Sequence, residues 1–223
     1  MIDMFQALWD FLFPARCPLC HKYVQNKGDW CEQCLRQACQ PMRLPVSAPM
    51  QPILGNAWAL SVYRGGTREL IRRLKYRQQR SALPYIRRLL STAAKDEGIA
   101  ALLAWCEIAV PVPLHVSRER QRGFNQAELI FGEWLQEHGV SMVRALQRVR
   151  STQPMYQLTL EERRTNLKGA FAVCAAAAVA DKRVLLIDDI LTTGATLAAC
   201  CQELERAGAA EIRVLVLASD HHF

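Results

Sequence analysis

Apolar residues form two kinds of pattern along residues 56–223, namely continuous runs and helical spacing. Unbroken apolar runs at Ile108–Val110 and Val184–Ile187, and largely apolar runs at Ala57–Val62 and Ile212–Ala218, are typical of strands buried in a sheet. Between these runs apolar residues recur at helical spacing, which predicts helices. The predicted helices are Thr67–Lys75 with Thr67 as its cap, Leu83–Ala94, one that ends at His138, and one that begins near Ala195. Strands and helices in alternation predict an α/β fold with an open, mostly parallel sheet flanked by helices.

Two adjacent carboxylates, Asp188 and Asp189, follow the strand Val184–Ile187. Open α/β sheets bind ligands at the carboxyl ends of their strands, and carboxylates there suit ribose hydroxyls or a metal held with them. The helix that begins near Ala195 favours a phosphate at its amino end, through unpaired N–H groups and its dipole. The predicted phosphate loop consists of Thr192, Thr193, Gly194, Ala195 and Thr196. We therefore predict a ligand that carries sugar hydroxyls beside a phosphate.

A second anion site is predicted after the strand Ile108–Val110. Arg118, Arg120 and Arg122 lie in a polar stretch that we predict to be a loop leading to a helix amino terminus. Guanidinium charge and the helix dipole both favour an anion at such a place.

Near the amino terminus the chain carries two Cys-x2-Cys pairs. Cys17, Cys20, Cys31 and Cys34 have the spacing that converges four thiolates on a tetrahedral Zn²⁺, and such a closed site is structural. A disulfide framework is disfavoured in a reducing compartment, and a redox Cys-x-x-Cys usually accompanies a βαβ pattern. His21 and Cys39 lie beside this set, but four cysteines already complete it.

Prolines from Pro41 to Pro52 predict a linker, so we predict two domains. Residues 1–55 hold a short helix, the zinc knuckle and the linker, and residues 56–223 form the α/β domain. The helix predicted within Met1–Phe13 either packs on the body or anchors the chain at a membrane surface. This segment lacks a basic n-region, and no apolar run is long enough to span a bilayer, so we expect a cytoplasmic protein.

Composition narrows the partners without choosing among them. The 223 residues are half apolar, which excludes a disordered chain, and the net charge of +7 favours anionic partners. The most basic segment is either a solvated helix face or a contact for nucleic acid or pyrophosphate. Its basic residues are Arg64, Arg68, Arg72, Arg73, Lys75, Arg77 and Arg80.

The stretch from Val184 to Thr196 resembles the phosphoribosyl pyrophosphate (PRPP) motif of type I phosphoribosyltransferases, with four apolar residues, two acids and a Thr-Thr-Gly-x-Thr loop. The resemblance implies a type I phosphoribosyltransferase-like fold. It further implies that Asp188 and Asp189 face the ribose hydroxyls, that Thr192–Thr196 holds the 5′-phosphate, and that Mg²⁺ binds with PRPP. In such transferases the place of Arg118–Arg122 holds pyrophosphate.

The order of several blocks resembles the ComF/GntX family over nearly the whole chain, and most closely the GntX-type proteins of enteric bacteria. These blocks are the two cysteine pairs, Tyr63-x-Gly65, Leu74-Lys75-Tyr76, Pro111–His115, Arg122–Gln126, Gln153, Arg163, Asn166, Gly169–Phe171 and the PRPP motif. The family is associated with internalising transforming DNA or using external DNA as a nutrient.

The resemblance implies a cytoplasmic, zinc-bearing, PRPP-binding protein that supports DNA uptake or use, with DNA-uptake proteins as partners. If it is catalytic, the reaction is displacement of pyrophosphate at ribose C1′, with an unidentified acceptor. A second hypothesis is a nucleic-acid-binding or regulatory protein that holds single-stranded DNA on the basic helix and the zinc knuckle. A third is an assembly partner whose ligand site is only structural.

Overall fold

Six strands form the central sheet, and every neighbouring pair in it except one is parallel. The computed structural model describes residues 12–46, 53–77, 79–150, 167 and 169–220. The strand order is β1-β2-β8-β7-β3-β4, with β1 antiparallel at one edge. A separate antiparallel pair is formed by β5 and β6. The strands are β1 (Cys39–Leu44), β2 (Leu54–Val62), β3 (Ile108–Pro111), β4 (Ser141–Met142), β5 (Leu146–Arg148), β6 (Phe171–Val173), β7 (Arg183–Leu191) and β8 (Glu211–Ser219).

Helices cover both faces of this sheet. They are α1 (Glu32–Ala38), α2 (Gly65–Arg77), α3 (Leu83–Ala93), α4 (Glu97–Trp105), α5 (Val116–Arg122), α6 (Gln126–Glu137), α7 (Ala176–Val179) and α8 (Ala195–Arg206). One core joins the sheet to α2, α3, α4 and α6, and includes Leu185 and Ile187 of β7. The other joins it to α8 and β6, and includes Val184 and Leu186. Alternate residues of β7 thus enter different cores, as expected of a strand buried on both faces. The predicted α/β fold is confirmed.

Two predicted boundaries were wrong. Strand β7 does not end at Ile187 but continues through both acids to Leu191, because its ladder with β8 extends to the pair Leu191–Ser219. Helix α2 begins at Gly65, so Thr67 does not cap it. The Thr67 hydroxyl is instead buried and lies 2.9 Å from the Ser61 hydroxyl of β2.

The cysteine-rich segment packs against the α/β body. Strand β1, which contains Pro41 of the predicted linker, pairs with β2. The Trp30 indole Nε1 donates to the Tyr85 carbonyl at 2.9 Å, and Cys17, Trp30 and Cys34 belong to the core on the α2 side. The proposed division after residue 55 falls inside β2 and stays a prediction.

The predicted amino-terminal helix lies outside the described residues except for Leu12 and Phe13. Among the helices in the described ranges, none is both long and apolar enough to cross a bilayer.

Candidate ligand site and metal centre

The two acids of β7 lie near the carboxyl edge of the parallel strands and point to opposite faces of the sheet, as successive strand residues do. Asp189 is buried and Asp188 is half-buried. The backbone N–H of Asp189 donates to Asp188 Oδ1 at 2.8 Å, which orients the first carboxylate. A ligand that contacts both carboxylates must therefore lie across the edge of the sheet.

Lys75 of α2 neutralises Asp189. Its Nζ lies 2.8 Å from Asp189 Oδ2, and the two side chains are only 21% and 6% exposed. Burial alone would lower the pKa of Lys75, but the charges of Asp189 and Asp188 outweigh it, and the net result is a raised pKa. Lys75 is therefore charged at neutral pH, and the second acid of the motif forms a nearly buried ion pair.

Asp188 has different surroundings. Burial, together with the nearby negative charge of Asp189, raises its pKa to about 8, although Lys75 acts in the opposite direction. Arg148 of β5 is near enough for Asp188 to act on it: burial and the charge of Arg118 lower the pKa of Arg148, while the charge of Asp188 opposes this change. The neutral form of Asp188 is therefore favoured more strongly than that of an ordinary carboxyl group.

The phosphate loop follows β7 directly, and α8 begins at Ala195 as predicted. Gly194 is the N-cap residue with a φ of 73°, a left-handed conformation that costs glycine little. Gly194 has no side chain that could accept from the first N–H groups of α8, so the cap residue leaves these donors available to an anion. Thr192 is exposed, while Thr193, Gly194, Ala195 and Thr196 are half-buried. The loop thus presents backbone donors and hydroxyls beside the acid pair.

The arginine stretch is a helix, so the predicted loop was wrong. Helix α5 contains Arg118, Arg120 and Arg122, and it ends at Gly123, which has a φ of 77°. Arg118 and Arg122 are half-buried and four residues apart, hence on one face, whereas Arg120 is exposed. Arg118 acts electrostatically on Arg148, and Arg122 donates to Gln126 Oε1 at 2.8 Å. The structure therefore links Arg118 to the acid site and gives Arg120 no such contact among the described residues.

Asn125, which lies between α5 and α6, fixes these two helices to the end of β3. Its Nδ2 donates to the Val112 carbonyl at 2.9 Å, just beyond β3, and its Oδ1 accepts from the Ala127 N–H at 2.9 Å. Asn125 is buried, so its role is to position α6 against the end of β3.

Sequence reasoning missed two cations at this site. Lys75 belongs to the basic segment, for which the sequence indicates either a solvated helix face or a contact for nucleic acid or pyrophosphate, and to the Leu74-Lys75-Tyr76 block of the family resemblance. Arg148 lies in a short strand whose sequence carries no motif. Neither position has a local signal, because each meets Asp188 or Asp189 only through the fold.

The four cysteines form the metal centre that their spacing predicts. Their sulfur atoms all lie within 4.8 Å of one another, and Cys20 Sγ is 3.6 Å from Cys31 Sγ. Tetrahedral Zn²⁺ with Zn–S bonds of about 2.3 Å requires sulfurs roughly 3.8 Å apart, so the set fits zinc. Burial would raise the pKa of Cys17, but hydrogen bonds from the backbone of Cys20, Leu19 and Cys31 lower it to about 7, whereas burial and hydrogen bonds with the other three cysteines raise the pKa of Cys34.

Comparisons with known protein families agree with the description of the α/β body and with that of the cysteine-rich segment. Residues 137–222 match the phosphoribosyl transferase domain family, and residues 8–47 match the double zinc ribbon domain family. The matched zinc ribbon and the four-cysteine cluster together support structural zinc. We use the name zinc ribbon below for residues 16–38.

Relatives extend over most of the chain. Competence protein F of Haemophilus influenzae is 30% identical over 206 residues, which cover 91% of this chain and 83% of the relative. The DNA utilization protein YhgH of Salmonella typhimurium is 30% identical over 90% of this chain and 88% of its own, and that of Escherichia coli K12 is 29% identical over the same shares. With a phosphoribosyl transferase domain, a zinc ribbon and these relatives, the chain belongs to the ComF/GntX family, as its sequence blocks predicted.

Proposed function

We propose that the carboxyl edge of the sheet binds PRPP together with Mg²⁺, and that the protein supports the uptake or use of extracellular DNA. The observation that carries the ligand assignment is the continuity of β7 and α8, which places two carboxylates and an uncapped helix amino terminus within one short segment. The role in DNA handling rests on the names of the relatives, a competence protein and DNA utilization proteins.

Each part of the site has a proposed task. Asp188 and Asp189 accept hydrogen bonds from the ribose hydroxyls across the sheet edge. The N–H groups and hydroxyls of Thr192–Thr196 bind the 5′-phosphate. Arg118, Arg120 and Arg122 are the proposed pyrophosphate ligands, and the fold favours Arg118 and Arg122 over Arg120 because they share the less exposed face of α5. Arg148 adds positive charge beside Asp188.

The oxygen-rich donor set is compatible with Mg²⁺, which prefers oxygen ligands and is usually held together with substrate phosphates. Because Asp189 is already paired with Lys75, Mg²⁺ would bind together with PRPP and not on the acid pair alone, and the acids would orient the sugar. When bound, the ion neutralises charge that develops on pyrophosphate. In a transfer reaction the arginines would stabilise the departing pyrophosphate as the bond to C1′ breaks.

Calorimetric titration of Mg²⁺ and PRPP tests the ligand assignment. Removing two oriented carboxylates in an Asp188→Asn, Asp189→Asn double variant should weaken binding by several kcal/mol, or roughly 100-fold or more. Asp181→Asn is the matched control, since this exposed acid precedes β7 at the opposite end and asparagine tolerates its φ of 59°. Absence of binding by the zinc-replete wild-type protein would refute the assignment.

Turnover is tested separately. A panel of purine, pyrimidine and other acceptor bases would be incubated with Mg²⁺, PRPP and protein, and pyrophosphate release measured. Release that depends on one base and is lost in the double variant would establish a transferase. Binding without release from any base would favour a regulatory role for the same site.

A specific observation favours single-stranded DNA binding as a second function. Arg64, which immediately precedes α2, and Arg68 and Arg72 within it are exposed at intervals of four residues, and none forms an ion pair within the described part of the chain. On the neighbouring zinc ribbon Tyr23 is 69% exposed, and the Arg16 guanidinium lies 4.4 Å from its ring centroid. Exposed guanidinium groups suit a phosphate backbone, and an exposed aromatic ring on the neighbouring zinc ribbon suits a stacked base.

Fluorescence anisotropy with a labelled single-stranded oligonucleotide tests this surface. Replacing Arg64, Arg68 and Arg72 by alanine should reduce the slope of log K against log salt by about 2, since each phosphate contact contributes about 0.7 for single strands. Arg36→Ala is the control, because Arg36 is exposed but paired with Glu32 at 2.9 Å. An unchanged slope in the triple variant would rule out this face.

We also propose a cytoplasmic location and contact with DNA-uptake proteins. The first rests on the amino-terminal sequence and the second on the relatives' names. Fractionation of tagged cells, followed by crosslinking during DNA uptake, tests both.

A further inference from the structure

Helix α2 connects the zinc ribbon to the acid pair. Its first turn, Gly65 and Gly66, lies against the ribbon, and its last turn carries Lys75 to Asp189. At 1.5 Å per residue these two ends are about 15 Å apart. The same rigid element therefore touches both sites.

The contact at the first turn leaves little room for a side chain. A Cβ atom added to Gly66 would lie 3.0 Å from the Trp30 ring and 3.2 Å from Leu19 Cβ, and one added to Gly65 would lie 3.1 Å from Leu19 Cδ1. The close approach of the ribbon thus disfavours a side chain at Gly66, while Gly65 in addition has a φ of 51°, a conformation that favours glycine.

The two ribbon residues in this contact are held by the cysteine cluster. Leu19 lies between Cys17 and Cys20, and Trp30 immediately precedes Cys31. Trp30 is also buried and bonded to the Tyr85 carbonyl of α3. Closure of the two cysteine loops on one metal therefore fixes the surface against which α2 begins.

The contact at the last turn depends on the placement of the helix. Leu70, Ile71 and Leu74 are fully buried and set the rotation of α2. The Lys75 Nζ to Asp189 Oδ2 distance of 2.8 Å tolerates only a few tenths of an ångström before the hydrogen bond weakens. A small shift of α2 is therefore enough to disturb the Asp189 carboxylate.

We propose that Lys75 is a positioning residue for Asp189, and that the zinc ribbon sets the position of Lys75 through α2. Lys75 engages Oδ2 of the carboxylate and thereby orients the Asp189 side chain. The consequence for the ligand rests on the proposed binding of PRPP, whereas the mechanical connection from ribbon to Lys75 does not.

Gly66→Ala in the zinc-replete full chain tests the connection, because it disturbs the ribbon contact and leaves the four cysteines in place. Gly132→Ala in α6 is the matched control, since its Cβ would meet only Met142 Cε at 3.9 Å. The first readout is the acylation rate of the Lys75 amine, measured by mass spectrometry with an amine-reactive reagent. We expect about fivefold or faster labelling in Gly66→Ala and the wild-type rate in the control.

The second readout is the Kd for Mg²⁺ and PRPP, which we expect to rise about tenfold in Gly66→Ala. Combining Gly66→Ala with Lys75→Met should add little to the effect of Lys75→Met alone, because both changes remove the same contact. Full additivity, or a wild-type labelling rate in Gly66→Ala, would overturn the proposal. If labelling accelerates but the wild-type protein binds no PRPP, the connection stands and the proposed ligand fails.

Discussion

The zinc ribbon gathers its four thiols from residues 17–34, whereas the sheet-edge site gathers its charged groups from Lys75, Arg118, Arg148 and the segment 188–196. The first site is closed by local loops and needs a metal to hold its thiolates together. The second is held together by strand pairing and by the ion pair between Lys75 of α2 and Asp189 of β7. Local sites depend on ligand chemistry, and dispersed sites depend on the surrounding fold, so the two should respond differently to single substitutions.

The largest effect is expected at the zinc ribbon. Cys34→Ser removes a buried ligand, and structural zinc contributes on the order of 10 kcal/mol to the folding of small metal domains. We predict loss of the roughly one Zn²⁺ per chain that a four-cysteine site binds, together with a large fall in Tm. Metal analysis and thermal unfolding measure these, with Cys174→Ser as the control because that exposed thiol is outside the cluster. Retention of full zinc content would contradict the assignment of Cys34.

A smaller loss of stability is expected when the second acid, Asp189, is substituted. Asp189→Asn leaves the Lys75 ammonium nearly buried without its carboxylate, and breaking one side of a buried ion pair costs about 3 kcal/mol. Adding Lys75→Met should recover much of this loss, because the unpaired charge is then absent. Urea unfolding of the two variants measures the difference. A double variant as unstable as Asp189→Asn would show that the ion pair is not the cause.

Substitution of the first acid, Asp188, should increase the free energy of unfolding, and by a smaller amount than Asp189→Asn decreases it. The pKa of Asp188 is raised from 3.8 to about 8, so between these values the unfolded chain releases a proton that the folded chain keeps. Stability is therefore lost as pH rises from about 4 to about 8. Asp188→Asn should raise the free energy of unfolding by about 1–3 kcal/mol at pH 8 and change it little near pH 4. A uniform loss of stability at both pH values would contradict this account of the first acid.

The same contrast explains which features were predictable from sequence. The cysteine spacing and the continuity of β7 with α8 are local, so the ribbon cluster and the start of α8 were predicted at the correct residues. Lys75 and Arg148 approach the acids only after α2 and β5 pack, and no short-range pattern encodes that. The end of β7 was missed because its pairing with β8 is equally non-local.

Helix α5 was missed for another reason. It has no buried residue, so hydrophobic periodicity gives no signal for it. Its boundaries did have local signals, namely His115, whose Nδ1 accepts from the Ser117 N–H, and Gly123 with its positive φ. Thr67 is a good capping residue, but its hydroxyl bonds to Ser61 of β2 and does not cap a helix. Helix α2 begins instead at Gly65 and Gly66, which lie against the zinc ribbon.

The most direct test of the central claim is a crystal structure of the zinc-replete protein with Mg²⁺ and PRPP. We predict the 5′-phosphate at the N–H groups of residues 193–196, the ribose hydroxyls at Asp188 and Asp189, and pyrophosphate toward Arg118 and Arg122. We also predict that Lys75 keeps its contact with Asp189. A ligand bound on the exposed arginines of α2, with the β7–α8 loop empty, would contradict the account.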